Sequence, residues 1–137
     1  MGNVIEVYIQ KGDYKKKAAE AKRYIEKILL YYGMKNAHIA VFFISSQKMR
    51  ALNRRFRGKD RATNVLTFVE PDDFISGESE KYLGEIYINL EYIEKHKQSL
   101  AHMIVHGFLH TKGYDHRNNK EEKEMVREEE RLLTNIA

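Results

Sequence analysis

Hydrophobic and polar residues alternate along this chain with two different periods, and each change of period marks an element. Residues 3–10 set Val4, Glu6 and Tyr8 against Ile5, Val7 and Ile9, the two-residue repeat of a strand. Residues 14–32 place Ala18, Ala21, Ile25, Ile28, Leu29 and Tyr32 at helical spacing, and Gly33 supplies a stop. A second strand reads over 38–44. Ser45 or Ser46 can then cap a helix that turns Met49, Leu52 and Phe56 inward and ends at Gly58. Third and fourth strands are predicted over 64–69 and 83–89. Between them, residues 70–81 are polar, carry Pro71 and Gly77, and read as a mobile loop. One continuous helix is predicted over 90–112. Asn119 with Glu122 has the pattern of a capping box for a last helix, whose inner face is Met125, Val126, Leu132, Leu133 and Ile136.

One helical stretch breaks the usual amphipathic rule. From 99 to 111 it holds no Asp, Glu, Lys or Arg. Leu100, Met103, Ile104 and Phe108 cover one side, while Val105 and Leu109 flank histidines on the other. A helix apolar nearly all round is a buried central helix. Imidazoles buried there without partners would cost on the order of a few kcal/mol each. A shared ion would satisfy several at once.

The histidine spacing supports that. Four of the six histidines lie between His102 and His116, and His106, His110 and His116 read H-x3-H-x5-H. The i, i+4 pair lies on one helix face. Gly113 permits the left-handed turn that ends a helix, so the chain can bring His116 back as a third ligand. Three protein nitrogens and one open position describe a catalytic zinc site, with one ion per chain. His102 lies one turn before His106 and suits an outer position beside the site or one facing substrate. His96 stands between lysines and reads as solvated, and His38 opens a strand with no partner visible in the sequence.

The same spacing occurs in metzincin proteases, H-E-x-x-H-x-x-G-x-x-H. Here Gly107 stands where the peptidase has its general-base glutamate. The ligand geometry is kept without the peptidase base, which points to another scissile bond or a base from elsewhere. Asp115 can orient a ligand ring, act as a base, or simply stabilise the reversal.

Composition narrows the chemistry. The 137 residues read as one domain over 1–137, long enough to bury roughly two-thirds of the unfolded surface. There is no cysteine, so a metal must be held by histidine and carboxylate. No segment reads as a signal peptide or a membrane span, which gives a soluble, cytoplasmic expectation. The net charge of +4 favours a polyanionic partner. Cations concentrate at Arg50, Arg54, Arg55, Arg57, Lys59 and Arg61, against the one acid Asp60. Cations at a helix C-terminus complement its dipole, but this density also suits phosphate, whose oxygens match an arginine fork two at a time.

Two segments carry a family resemblance. VHGFLHTKGYDH (105–116) and LNRRFRGKDRATNVLTF (52–68), with LGEIYIN (83–89) between them, resemble the YbeY family of bacterial single-strand-specific endoribonucleases and ribosomal RNA maturation factors. The resemblance implies an α/β (α+β) fold with a small mixed four-stranded sheet and surrounding helices. It implies zinc at His106, His110 and His116, and Arg57 as the catalytic arginine. It further implies processing of the small-subunit ribosomal RNA 3′ end, ribosome quality control, a single-stranded or ribosomal RNA partner, and no action on DNA. Ala62, Thr67, Val69 and Asn89 depart from the family's usual residues without touching a proposed ligand. Catalysis is thus expected from Arg57 and Asp115, with RNA contacts from Arg54, Arg55, Lys59 and Arg61. The nucleophile, an activated water or a ribose 2′-hydroxyl, stays open. So do two other readings: a non-catalytic RNA-binding assembly factor, and a metallopeptidase-like hydrolase.

Overall fold

The computed structural model describes residues 2–10, 12–69 and 81–136. Four strands form one sheet: β1 (Val4–Tyr8), β2 (Ala37–Phe43), β3 (Val65–Val69) and β4 (Lys81–Ile88). Their order is β1-β2-β4-β3. The β1/β2 and β2/β4 pairs are parallel, and β3 runs antiparallel to β4 at the edge. This is the mixed four-stranded sheet of the expected α/β fold. The loop expected over 70–81 lies outside the described residues, except that Lys81 already begins β4.

Parallel neighbours need a crossover. Helix α1 (Lys15–Tyr31) makes the one between β1 and β2. The register aligns Ile5 with Ile39 and Val7 with Val41, then Val41 with Ile86 and Phe43 with Ile88. One sheet face is therefore a continuous apolar surface. Against it pack Ile25, Ile28 and Leu29 of α1 and the apolar residues of α4 (Leu100–Thr111). The remaining helices are α2 (Ser46–Arg57), α3 (Leu90–Lys95) and α5 (Asn119–Ile136).

Helix α4 contacts α1, α5, β3 and β4, and Ile104, Val105, Phe108 and Leu109 are fully buried. It is the central helix that its lack of charge predicts. Gly107 explains how closely it lies on the sheet. A Cβ there would stand 2.7 Å from Ile86 Cγ2, inside any real contact. The side chain absent at this position is one the packing excludes.

Three details differ from the sequence pattern. The helix expected over 90–112 is two helices. Asn89 caps α3, Lys97 takes a positive φ of 54°, and Ser99 caps α4 by accepting from the His102 amide. Two good N-caps within ten residues overrode continuous periodicity. The last helix is capped by Asn118 rather than Asn119. Asn118 Oδ1 accepts from the Glu121 amide at 2.9 Å, and its Nδ2 donates to Glu121 Oε2 at 3.2 Å. Finally, Phe56 and Val126, expected inside, are 53% and 45% exposed. Phe56 instead meets Phe68 edge-on at the margin of the sheet.

Candidate metal centre and cleft

His106 and His110 project from successive turns of α4. Gly113, at φ 98°, reverses the chain where an L side chain would be strained, and His116 returns beside them. One nitrogen from each of the three rings lies within 4.8 Å of the others, a group that could hold a metal ion.

The hydrogen bonds decide which nitrogens are free. His110 Nδ1 is 3.0 Å from the Tyr114 carbonyl oxygen, and His106 Nδ1 is 2.6 Å from Glu129 Oε2. A carbonyl and a carboxylate only accept, so both Nδ1 atoms carry the proton. In the neutral rings both Nε2 atoms present lone pairs, and they face each other 3.2 Å apart. Two neutral acceptors so close are satisfied by a proton or a metal ion between them. Nitrogens sharing one tetrahedral ion at ~2.0–2.1 Å stand about 3.3 Å apart, which matches. The residues therefore fit a metal. Burial, then the nearby His106 and His116, push the His110 pKa below the ordinary histidine value, which keeps it in the neutral form a ligand needs.

These rings form one wall of a cleft of about 540 Å³. Arg57, Lys59 and Arg61 line the same cleft. Helix α2 brings Arg57 there on its last turn. Gly58, at φ 70°, stops the helix, and the following loop is tied back by Asn53 Nδ2 donating to the Arg61 carbonyl at 2.9 Å. Arg57 Nη2 donates to the Thr67 carbonyl at 3.3 Å, which aims the guanidinium across β3. Arg54 and Arg55 do not line the cleft, and Arg55 lies over the Phe56 ring. Arg50 holds the cluster's one acid, Asp60, through two hydrogen bonds of 2.8 and 3.1 Å. The side-on Arg50 bond depresses the Asp60 pKa.

Asp115 also lines the cleft. Its Oδ1 accepts from the His116 amide at 2.8 Å, and that bond holds its pKa below the usual carboxylate range. Its geometry suits it to fixing the bend that returns His116.

Two residues of the centre escape the motif. Tyr114 contributes only its backbone carbonyl, for which no side-chain pattern exists. Glu129 is 8% exposed, and burial pushes its pKa up. The His106 hydrogen bond and the His106 and His102 charges outweigh this and leave it lowered. A signal for it was present: Met125, Glu129, Leu132 and Ile136 lie on one helical stripe, and all four are buried. His102 stands outside the trio, with Nε2 3.5 Å from Glu129 Oε1. His38, which showed no partner in the sequence, contacts Glu6 and the Tyr82 ring, while His96 lies against Tyr92.

Known proteins give this arrangement a family. The sequence profile described as Endoribonuclease YbeY matches residues 5–137. A protein of that name from Chelativorans sp. (strain BNC1) is 37% identical over 113 residues, covering 77% of this chain and 69% of its own length. Another, from Sulfurihydrogenibium sp. (strain YO3AOP1), is 31% identical over 130 residues, covering 88% of this chain and 84% of its own length. The solution structure of a Thermotoga maritima protein superposes with a TM-score of 0.62 at 27% identity, covering 97% of this chain and 89% of that one. With a matching profile, relatives across most of its length and a shared fold, the chain belongs to the endoribonuclease YbeY family.

Proposed function

We propose that this protein is a zinc-dependent endoribonuclease that cuts single-stranded RNA during ribosomal RNA maturation. The observation that carries the reading is the convergence of three imidazoles in one cleft with Arg57. Family membership supports cleavage of RNA. Three histidines without cysteine suit zinc among the divalent ions that take imidazole. An ion bound there would supply Lewis acidity and bring the pKa of its water from ~15.7 to ~7.

The chain's own groups do the rest. The Arg57 fork meets non-bridging phosphoryl oxygens and stabilises the charge that develops on them. Lys59 and Arg61 draw the RNA backbone along the same wall, without reading sequence. Asp115 holds the bend rather than taking a proton. The nucleophile is a water or the neighbouring ribose 2′-hydroxyl, and product ends distinguish them. A 2′,3′-cyclic phosphate marks the second route, under which DNA is not cut.

By the same family reading, the target is the 3′ end of small-subunit ribosomal RNA, the setting is the cytoplasm beside the small subunit, and the role extends to ribosome quality control. Among the described residues no helix is long and apolar enough to cross a membrane. A metzincin-type peptidase mechanism lacks its base, because position 107 is glycine and even a Cβ there would stand 2.7 Å from Ile86 Cγ2.

The direct test uses highly purified wild-type and Arg57→Ala proteins on one defined single-stranded RNA. The wild type should cleave, and the variant should keep its metal and fold while cleavage falls. A wild type that binds RNA with steep salt dependence but leaves it intact would favour a non-catalytic assembly factor instead.

A further inference from the structure

The two ligand histidines of α4 are anchored differently. His110 gives its Nδ1 proton to a neutral backbone carbonyl, and His106 gives its own to a carboxylate on another helix. That carboxylate, Glu129, lies outside the ligand group and away from the cleft lining. We propose that Glu129 is the positioning residue of the metal centre. It fixes the tautomer and direction of the His106 ring and thereby sets how tightly the site holds a divalent ion. The inference rests on the metal-binding reading above.

Three observations support it. The Nδ1 to Oε2 distance of 2.6 Å is that of a charge-assisted bond. Glu129 is 8% exposed, so little water competes for its carboxylate. Its second oxygen, Oε1, lies 3.5 Å from His102 Nε2, one α4 turn before His106. The carboxylate therefore sits between two rings of the same helix and is limited from both sides. Because α5 carries it, the centre is complete only when α5 is docked on α4. A carboxylate behind a ligand imidazole also raises that ligand's basicity.

A structural role alone would leave the ligand properties untouched, so the test reads those properties. Zinc affinity of the full-length protein is measured by competition with a chromogenic chelator at fixed pH. The ligand field is read from the visible spectrum of the cobalt-loaded protein. Glu129→Gln keeps the shape, but its amide can offer N–H instead of oxygen and so no longer dictates the tautomer. Zinc affinity should fall ~10- to 100-fold, and the cobalt bands should shift. Glu129→Asp keeps the charge and should recover part of the loss. His102→Ala should weaken zinc less than Glu129→Gln does.

Glu129→Gln that binds zinc as tightly as wild type with an unchanged cobalt spectrum overturns the proposal, whatever its melting temperature. Should the Gln variant not fold, the Asp variant decides by the same two readouts. A wild type that holds no ion removes the metal reading and this inference together. A tight wild type with an equally tight variant removes only the inference.

Discussion

The two walls of the cleft are built on opposite physical terms. Two rings of the histidine wall, His106 and His110, belong to a helix buried on nearly every side and are fixed from behind by the Glu129 carboxylate and the Tyr114 carbonyl, while His116 stands exposed on the turn that follows. The arginine wall lies at the exposed end of α2, where Arg57 is held by one 3.3 Å bond to a backbone carbonyl. The first wall has two of its rings bonded from behind. The other is held more loosely and gains its counter-charges from the ligand. A site that must place a small ion within fractions of an ångström needs the first kind of support. A surface that must accept a long polyanion of variable sequence is served by the second.

The largest effect should come from breaking the rigid wall. His110→Ala removes a ligand, so metal analysis should find the ion lost and RNA cleavage should fall about 10³-fold. The loose wall is next. Arg57→Ala should lower cleavage by about 10²-fold with zinc content unchanged. If zinc content falls too, the two walls are not the independent structures described here.

Smaller effects sharpen the contrast within the basic wall. Lys59→Ala and Arg61→Ala should each weaken RNA binding and reduce the salt slope by ~0.7 in a single-strand binding titration. Arg54→Ala and Arg55→Ala, outside the cleft, should change it less.

The smallest effect belongs to pH. The folded His110 pKa is lowered by burial, so below the ordinary value of 6.5 the unfolded chain takes up more protons than the folded one. Stability of the metal-free protein should thus hold above pH 6.5 and decline as pH falls from there toward the folded pKa. His110→Gln should flatten that decline in a series of melting curves. An unchanged profile would show that burial of His110 does not govern it.

Where local chemistry was strong, the sequence was legible. The trio at 106, 110 and 116 follows from helical period plus one glycine, and the chargeless stretch around it marks the central helix. The break at 96–99 was less visible, because apolar periodicity runs across it while the Asn89 and Ser99 caps act locally. Phe56 was placed inside by spacing alone, yet α2 covers only the sheet margin and leaves that ring half out. Glu129 reads as one more acid in a charged helix until α4 is known to lie against its stripe. Tertiary placement, not propensity, made it part of the centre.

Cleavage should depend on an ion held by the histidine trio. That dependence is tested most directly by adding zinc to chelator-stripped, full-length protein and following cleavage of a defined single-stranded RNA. Cleavage should start about 10³-fold down without metal, rise with each increment, and reach a plateau at about one zinc per chain. Cleavage by the stripped protein at the full rate would contradict it.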